Sequence, residues 1–394
     1  MSERDSSRRS RPPRRPGTKK EPAPGARVMI VDDSLTVRTV LKRMVLSDGS
    51  MQIVAMASSA ESALVHLRTQ RPDVVLLDLE MPGMGGLQAL PQILKLAPQA
   101  QVMVVSSLTE EGGEATIKAL TTGAADTMHK PRPGQFDDAY RQLMLSKIRA
   151  LGKSADTVAE DAEKPGSADL PRASVKQGSP ALFPRTAELV AIGASTGGIH
   201  ALNLFLRSLP AQFALPIVIT QHLPATFIPV FCRQVETMSG RPTRIAEAGT
   251  RIRGPGIFIA PGHGHLVVER RHGMLVAAVS NIPAPSGCLP SVDPMLTSIA
   301  EHCDGRAIAI ILSGMGRDGV LGARRLHETG GTVWAQDADT SAVWGMPGAV
   351  VEADLAGLVA TPQILAQALG KGLSAPARGR PAIGRASIES FIPS

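Results

Sequence analysis

Apolar and polar positions alternate along this chain in two long blocks separated by a polar stretch. In residues 27–150 the apolar runs VMIV (28–31), IVAM (53–56), VVLL (74–77), VMVV (102–105) and AADTM (124–128) are short and bounded by turn residues, so they read as strands. Helix-like segments fall between and after them, near 35–47, 59–69, 86–96, 110–122 and 135–150. Five strand–helix units predict a doubly wound, five-stranded parallel sheet covered on both faces. Residues 187–372 alternate again, with strands expected at ELVAI, PIVIT, GIFIA, HLVVE, MLVAAV, AIAIIL and GTVWA and helices near 198–208, 225–238, 292–303 and 319–328. HLVVERRHGMLVAAV reads as a hairpin, so the second block predicts an α/β domain with a mostly parallel sheet plus that hairpin.

The stretch between the blocks, residues 151–186, is polar and rich in Ala, Ser, Pro and Gly, which marks a flexible linker. Residues 1–25 and 376–394 are Pro- and Arg-rich and read as loose tails. The chain carries a net charge of +7, but residues 1–25 hold eight Arg/Lys against three Asp/Glu, a local excess of five. The basic character thus belongs mainly to the tail and not to a folded nucleic-acid surface, and no nucleic-acid partner is expected. Three cysteines, Cys232, Cys288 and Cys303, form no C-x-x-C pair, which argues against a disulfide framework and a cysteine-based zinc site. Their sparseness suits a reducing compartment. No apolar run approaches the roughly 20 residues that span a bilayer, and the N-terminus lacks the apolar core of a signal peptide. A cytoplasmic protein without membrane insertion is expected.

Chemistry-bearing residues gather at the ends of the first block's strands. VDDS closes the first strand with Asp32 and Asp33, LLDLEMPGMGG closes the third with Asp78, VVSS gives Ser106, and HKP gives Lys130. Strand C-termini of a doubly wound sheet share one edge. Three carboxylates there repel one another unless a cation joins them, and Mg²⁺ suits a few carboxylates plus phosphate oxygens. Ser106 and Lys130 are placed to hold a phosphoryl group on Asp78, an aspartyl acceptor. Residues 27–146 carry this full motif set and resemble the flavodoxin-like receiver domain of two-component response regulators. The resemblance implies phosphorylation of Asp78, Mg²⁺ ligation by Asp32, Asp33 and Asp78, and switch roles for Ser106 and Lys130. One position departs: receivers usually carry Tyr or Phe three residues before the lysine, and here it is Thr127.

The second block raises a different chemistry. VAIGASTGGIH (190–200) runs from an apolar strand through a glycine turn, and Ser195 stands in a G-x-S-x-G pattern. It lacks the lysine of a G-x-x-x-x-G-K-[ST] phosphate loop, so the turn reads as a nucleophile's seat. PIVIT leads to Gln221 and His222, and AIAIIL leads through SGMGRDG to Asp318. One sheet edge would then gather Ser, His and Asp, in an order that differs from the Ser…Asp…His of α/β-hydrolases. Backbone N–H groups near Thr196 and Gly197 are expected to face a developing oxyanion. Asp293 and Asp337 remain alternative orienting acids on pattern alone, and His263 with His265 would make a metal pair only with a third ligand.

The stretches IGASTGG, QHLP, APGHGHLVV, PSVDPML, ILSGMGRDG and AQDADTSAVWGMP together resemble the catalytic domain of the chemotaxis receptor protein-glutamate methylesterases and glutamine deamidases. The resemblance covers residues 187–375, and the receiver–linker–esterase order extends it over nearly the whole chain. It implies Ser195 as nucleophile, His222 as base and Asp318 as orienting acid, with Thr196 and Met315 lining the site and no cofactor there. It further implies chemoreceptor cytoplasmic helices as substrate and a chemotaxis histidine kinase as phosphodonor. The family often has His and Arg just before PSVD, whereas this chain has Cys288 and Leu289.

Overall fold

A computed structural model of the chain describes residues 25–106, 110–130, 137–161, 174–175 and 187–373. Both expected tails, apart from Gly25, lie outside the described residues, as does much of 151–186.

The first block folds as strands β1 (Arg27–Val31), β2 (Gln52–Ala57), β3 (Val74–Asp78), β4 (Gln101–Ser106) and β5 (Asp126–His129). They form one parallel sheet in the order β2-β1-β3-β4-β5. Helices α1 (Leu35–Leu46), α2 (Ala60–His66), α3 (Gly86–Leu96), α4 (Glu110–Thr122) and α5 (Asp138–Asp161) cover its faces. Serine side chains start two of them: Ser34 accepts from Val37 N–H at 3.4 Å and Ser59 from Ser62 N–H at 3.2 Å, filling donors that a helix leaves open. Every residue of VVLLD is buried, as a strand covered on both faces requires. The strand order reverses at β1/β3, which opens the crevice beside Asp32 and Asp78.

The second block contributes β7 (Leu189–Ala194), α6 (Gly198–Ser208), β8 (Ile217–Gln221), a 3₁₀ turn (Ala225–Phe227), α7 (Ile228–Ser239), β9 (Thr243–Ile245) and β10 (Ile257–Ile259). These are followed by β11 (His265–Arg271), β12 (Met274–Ser280), α8 (Val292–Cys303), β13 (Ala307–Ile311), α9 (Val320–Glu328), β14 (Thr332–Gln336), α10 (Met346–Glu352), β15 (Leu358–Ala360) and α11 (Pro362–Leu373). With β6 (Ser174–Val175) the large sheet runs β6-β15-β14-β13-β7-β8-β10-β9, parallel except for β6 on β15. β11 and β12 pair as the expected antiparallel hairpin.

The differences from the sequence pattern have plain causes. β9 and β15 are three-residue strands, too short to show a period, and they exist because the neighbouring β10 and β14 offer them hydrogen bonds. Residues 151–186 are not uniformly irregular: α5 continues to Asp161 and β6 extends the esterase sheet. Among the described residues no helix is long and apolar enough to cross a membrane.

The two units dock along α4, which lies against α6, α7 and the 3₁₀ turn. Ile117 and Leu120 of α4 share a buried apolar cluster with Phe205 and Phe227. Glu114 pairs with Arg233 at 3.0 Å, and Asn203 Nδ2 donates to the Thr121 carbonyl at 3.3 Å.

The GG of LLDLEMPGMGG is a packing device. A Cβ on Gly86 would stand 1.9 Å from the Asp78 carbonyl oxygen, so only glycine lets α3 start against the end of β3. Gly86→Ala is expected to destabilise the receiver by about 1–3 kcal/mol, as overpacking does. It should also slow phosphorylation of Asp78, checked by thermal melting and phosphodonor uptake.

Candidate active site

Adjacent parallel strands fix the esterase cluster. In the β7–β8 register Ala194 stands opposite Gln221, so the next residues, Ser195 and His222, leave neighbouring strand ends together. The His222 N–H donates to the Ala194 carbonyl at 3.0 Å, and Gln221 Nε2 donates to the Ser195 carbonyl at 2.9 Å. The Ser195 N–H is taken by the Ser313 carbonyl at 3.0 Å, just past β13. Ser313 Oγ braces the same turn by donating to the Thr196 carbonyl at 2.7 Å. Gly197 sits at φ +75°, and a Cβ there would meet Ala342 Cβ at 2.5 Å and Ser313 Oγ at 2.6 Å. The glycines of GASTGG thus permit both a left-handed turn and close contact with two loops.

Asp318 is the acid that meets the histidine: His222 Nε2 lies 2.7 Å from its Oδ2. The carboxylate is 2% exposed, so its charge must be answered locally. Ser291 Oγ donates to Oδ1 at 2.7 Å, and the Val292 N–H at the start of α8 donates to Oδ2 at 2.7 Å. The helix dipole adds to these bonds. Behind them, buried His265 Nδ1 accepts from the Ser291 N–H at 2.9 Å, which explains the second histidine of PGHGH without a metal. The alternative acids are used otherwise: Asp293 accepts from the Gly322 N–H at 2.8 Å, and Asp337 from the Thr340 N–H at 2.9 Å. Ser291, Ser313 and Gln336, whose Oε1 accepts from the Ser313 N–H at 2.8 Å, escaped the sequence reading, as did the role of His265 behind Ser291. Each acts through a contact made by the fold, and only their place inside the quoted motifs signalled them.

Burial pulls the His222 imidazole toward a lower pKa, but the Asp318 hydrogen bond, with Cys288 acting in the same sense, outweighs it and pushes it up to about 9. Desolvation would raise Asp318, yet the His222 bond dominates and holds it below the usual carboxylate range. Asp293, by contrast, is pushed up to about 6 by burial.

The receiver reaches this turn directly. Thr196 Oγ1 donates to Asp126 Oδ2 at 2.5 Å, and the Gly197 N–H donates to the Ala125 carbonyl at 2.5 Å. Lys147 Nζ holds the same Asp126 oxygen at 2.7 Å. Val343 joins a receiver apolar cluster, with Met315 and Ala342 packed against it. Among the described residues no hydrogen bond joins Ser195 Oγ to His222 in this docked arrangement.

At the receiver's crevice, oxygens of Asp32, Asp33 and Asp78 lie within 4.8 Å of one another. Lys130 Nζ bridges Asp78 at 2.6 Å and Asp32 at 3.0 Å. Burial, against the opposing pull of Lys130, pushes Asp78 up to about 6. An oxygen-only set of carboxylates suits a hard cation such as Mg²⁺. Ser106 Oγ lies 2.5 Å from Thr116 Oγ1 of α4, so this hydroxyl is tied to the docking helix.

The family model for the CheB methylesterase matches residues 190–369, and that for the response regulator receiver domain matches 28–140. A protein-glutamate methylesterase/protein-glutamine glutaminase of Paramagnetospirillum magneticum is 39% identical over 354 residues, covering 84% of this chain and 92% of that one. This chain belongs to the CheB methylesterase family. A second member, from Caulobacter vibrioides, is 40% identical over 333 residues and covers 84% of this chain and 94% of its own. The solved catalytic domain of the Thermotoga maritima member is 33% identical, covers 47% of this chain and 98% of that one, and superposes with a TM-score of 0.46.

An imidazole must be neutral to accept a proton. With the pKa raised from 6.5 to about 9, the charged pair is fully formed below pH 6.5 and is lost as pH rises through 9. We expect kcat/KM on an ester substrate to climb with pH until about 9 and then level. A profile that levels near pH 6.5 would contradict the paired state.

Proposed function

We propose that the chain is a phosphorylation-activated serine hydrolase that demethylates glutamate methyl esters and deamidates glutamines on the cytoplasmic helices of chemoreceptors. The observation that carries this reading is the His222–Asp318 pair standing one strand away from Ser195. Ser195 Oγ attacks the side-chain carbonyl carbon while His222 takes the hydroxyl proton through Nδ1, because Nε2 is committed to Asp318. The tetrahedral oxyanion collapses, and His222 returns the proton to the leaving methanol or ammonia. Water then attacks the acyl-serine with His222 again as base, freeing Ser195 and a glutamate carboxylate. Thr196 and Met315 line this site. Once released from the Ala125 carbonyl, the Gly197 N–H is the donor assigned to the oxyanion.

The docked receiver supports a repressed form. Its Ala125 carbonyl occupies the Gly197 donor, and Asp126 holds Thr196 beside the nucleophile. Phosphorylation of Asp78 by a histidine kinase supplies an acyl phosphate whose oxygens attract Lys130 and Ser106. Asp32, Asp33 and Asp78 would hold the Mg²⁺, which neutralises the gathered negative charge. When Ser106 turns to the phosphoryl group it leaves Thr116, and α4 loses a buried anchor. This link does not need an aromatic ring, so Thr127 still permits a switch. Moving the docked state from 99:1 to 1:99 requires about 5.5 kcal/mol of preference for the open form.

Ser195→Ala should abolish methanol release from methylated receptor membranes while leaving the melting temperature nearly unchanged. Near-normal release by the folded variant would remove Ser195 from the mechanism. Asp126→Ala should raise the unphosphorylated rate several-fold by freeing Thr196. A phosphodonor with Mg²⁺ should activate the parent chain and not Asp78→Asn. Equal rates for the parent, Asp126→Ala and Asp78→Asn with and without donor would show that docking does not restrain the site.

A further inference from the structure

Where relatives often carry a histidine before PSVD, this chain places a thiol against the catalytic pair. A ring nitrogen of His222, Sγ of Cys288 and a carboxylate oxygen of Asp318 all lie within 4.8 Å of one another. We propose that these three side chains form an inhibitory site for a borderline-soft divalent cation, Zn²⁺ foremost, which stops hydrolysis by taking the imidazole. The proposal rests on the reading of His222 as the base.

The donor set is the first argument. Thiolate, imidazole and carboxylate together favour Zn²⁺ over Mg²⁺, while the oxygen-only set at Asp32, Asp33 and Asp78 favours Mg²⁺, so the two sites select different ions. Geometry is the second. Bond lengths near 2.0–2.3 Å place the ligands of a tetrahedral Zn²⁺ about 3.3–3.8 Å apart. Small movements therefore bring these atoms into range. Asp318 is fixed by Ser291 and Val292, which orient it as outer partners orient metal ligands. Cys288 can make the adjustment, because it sits between β12 and α8 beside Leu289, which is 54% exposed. A Cβ on neighbouring Gly287 would have nothing within 4 Å. Three protein ligands leave a fourth position for water, as in open zinc sites.

Binding is a ligand exchange without redox change. As the S–Zn and N–Zn bonds form, any proton on the Cys288 sulfur or the ligating His222 nitrogen leaves to solvent, so binding weakens as pH falls. Occupied, the imidazole has no lone pair for the Ser195 proton. Cys232 and Cys303 belong to no such group of donors among the described residues.

The test uses the full chain with Mg²⁺ in excess and Co²⁺ as a spectroscopic substitute for Zn²⁺. One equivalent of Co²⁺ should give a thiolate-to-metal charge-transfer band, present in the parent and in Ser195→Ala. Cys288→Ser should lose the band and bind Zn²⁺ at least about 10-fold more weakly in a chelator competition. Cys288→His should lose the band but keep Zn²⁺ binding, which covers misfolding of the serine variant. Zn²⁺ should inhibit methyl-ester hydrolysis by the parent, reversibly with chelator, measured against each protein's own metal-free rate. A band that survives in Cys288→Ser, or Zn²⁺ inhibition equally strong in that variant, overturns the site. A Cys288-dependent band in a protein without esterase activity would keep the metal site and reject the hydrolase reading instead.

Discussion

The buried carboxylate of Asp318 is the constraint around which the esterase half is arranged. A charge that is nearly sealed from water needs its hydrogen bonds supplied by the fold. Here they come from two separate places in the chain: His222 after β8, and the start of α8, where Ser291 Oγ and the N–H groups of Val292 and Asp293 donate. His265 supports Ser291 in turn. Losing any one partner would leave part of the charge unanswered, so β8, the β12–α8 loop, α8 and the turn after β13 must all be in place together. The same bonds hold the imidazole at the end of its strand, next to Ser195. Stability and positioning thus rest on one set of contacts.

The receiver uses a parallel-sheet unit of the same general kind for a different end. Its carboxylates are gathered at a strand edge too, but they are answered by Lys130 and are suited to a cation. The physical connection between the halves is short. Ser106 touches Thr116 on α4, α4 packs on α6 and α7, and the start of β5 holds the turn that carries Ser195. A change at Asp78 therefore has a route of packed groups to the esterase through α4, while Ala125 and Asp126 are what the esterase feels.

The loop that carries Cys288 brings a thiol to the place that Asp318 and His222 frame. Asp318 and His222 are fixed by the core. The residue facing them comes from an exposed segment whose identity the fold does not restrict. Spacing in the sequence speaks against a cysteine-based zinc site, since no C-x-x-C pair exists, yet three ligand types from distant positions meet there in space.

Residues read along the chain determined the two blocks, the parallel sheets and the strand-end positions of Asp32, Asp33, Asp78, Ser106, Lys130, Ser195, His222 and Asp318. They did so because apolar period and strand-end polarity are local properties. The sequence pattern favoured Asp318 for the histidine but did not exclude Asp293 or Asp337, since all three follow plausible turns. Only the tertiary structure chose, by bringing Asp318 within 2.7 Å of His222 and giving the other two backbone N–H partners. It alone showed the three-residue strands β9 and β15, which are held by pairing with neighbours and not by their own composition. It also decided that the receiver's Ala125 and Asp126 grip Gly197 and Thr196. Those contacts join residues about seventy positions apart, and no local period records a bond of that length.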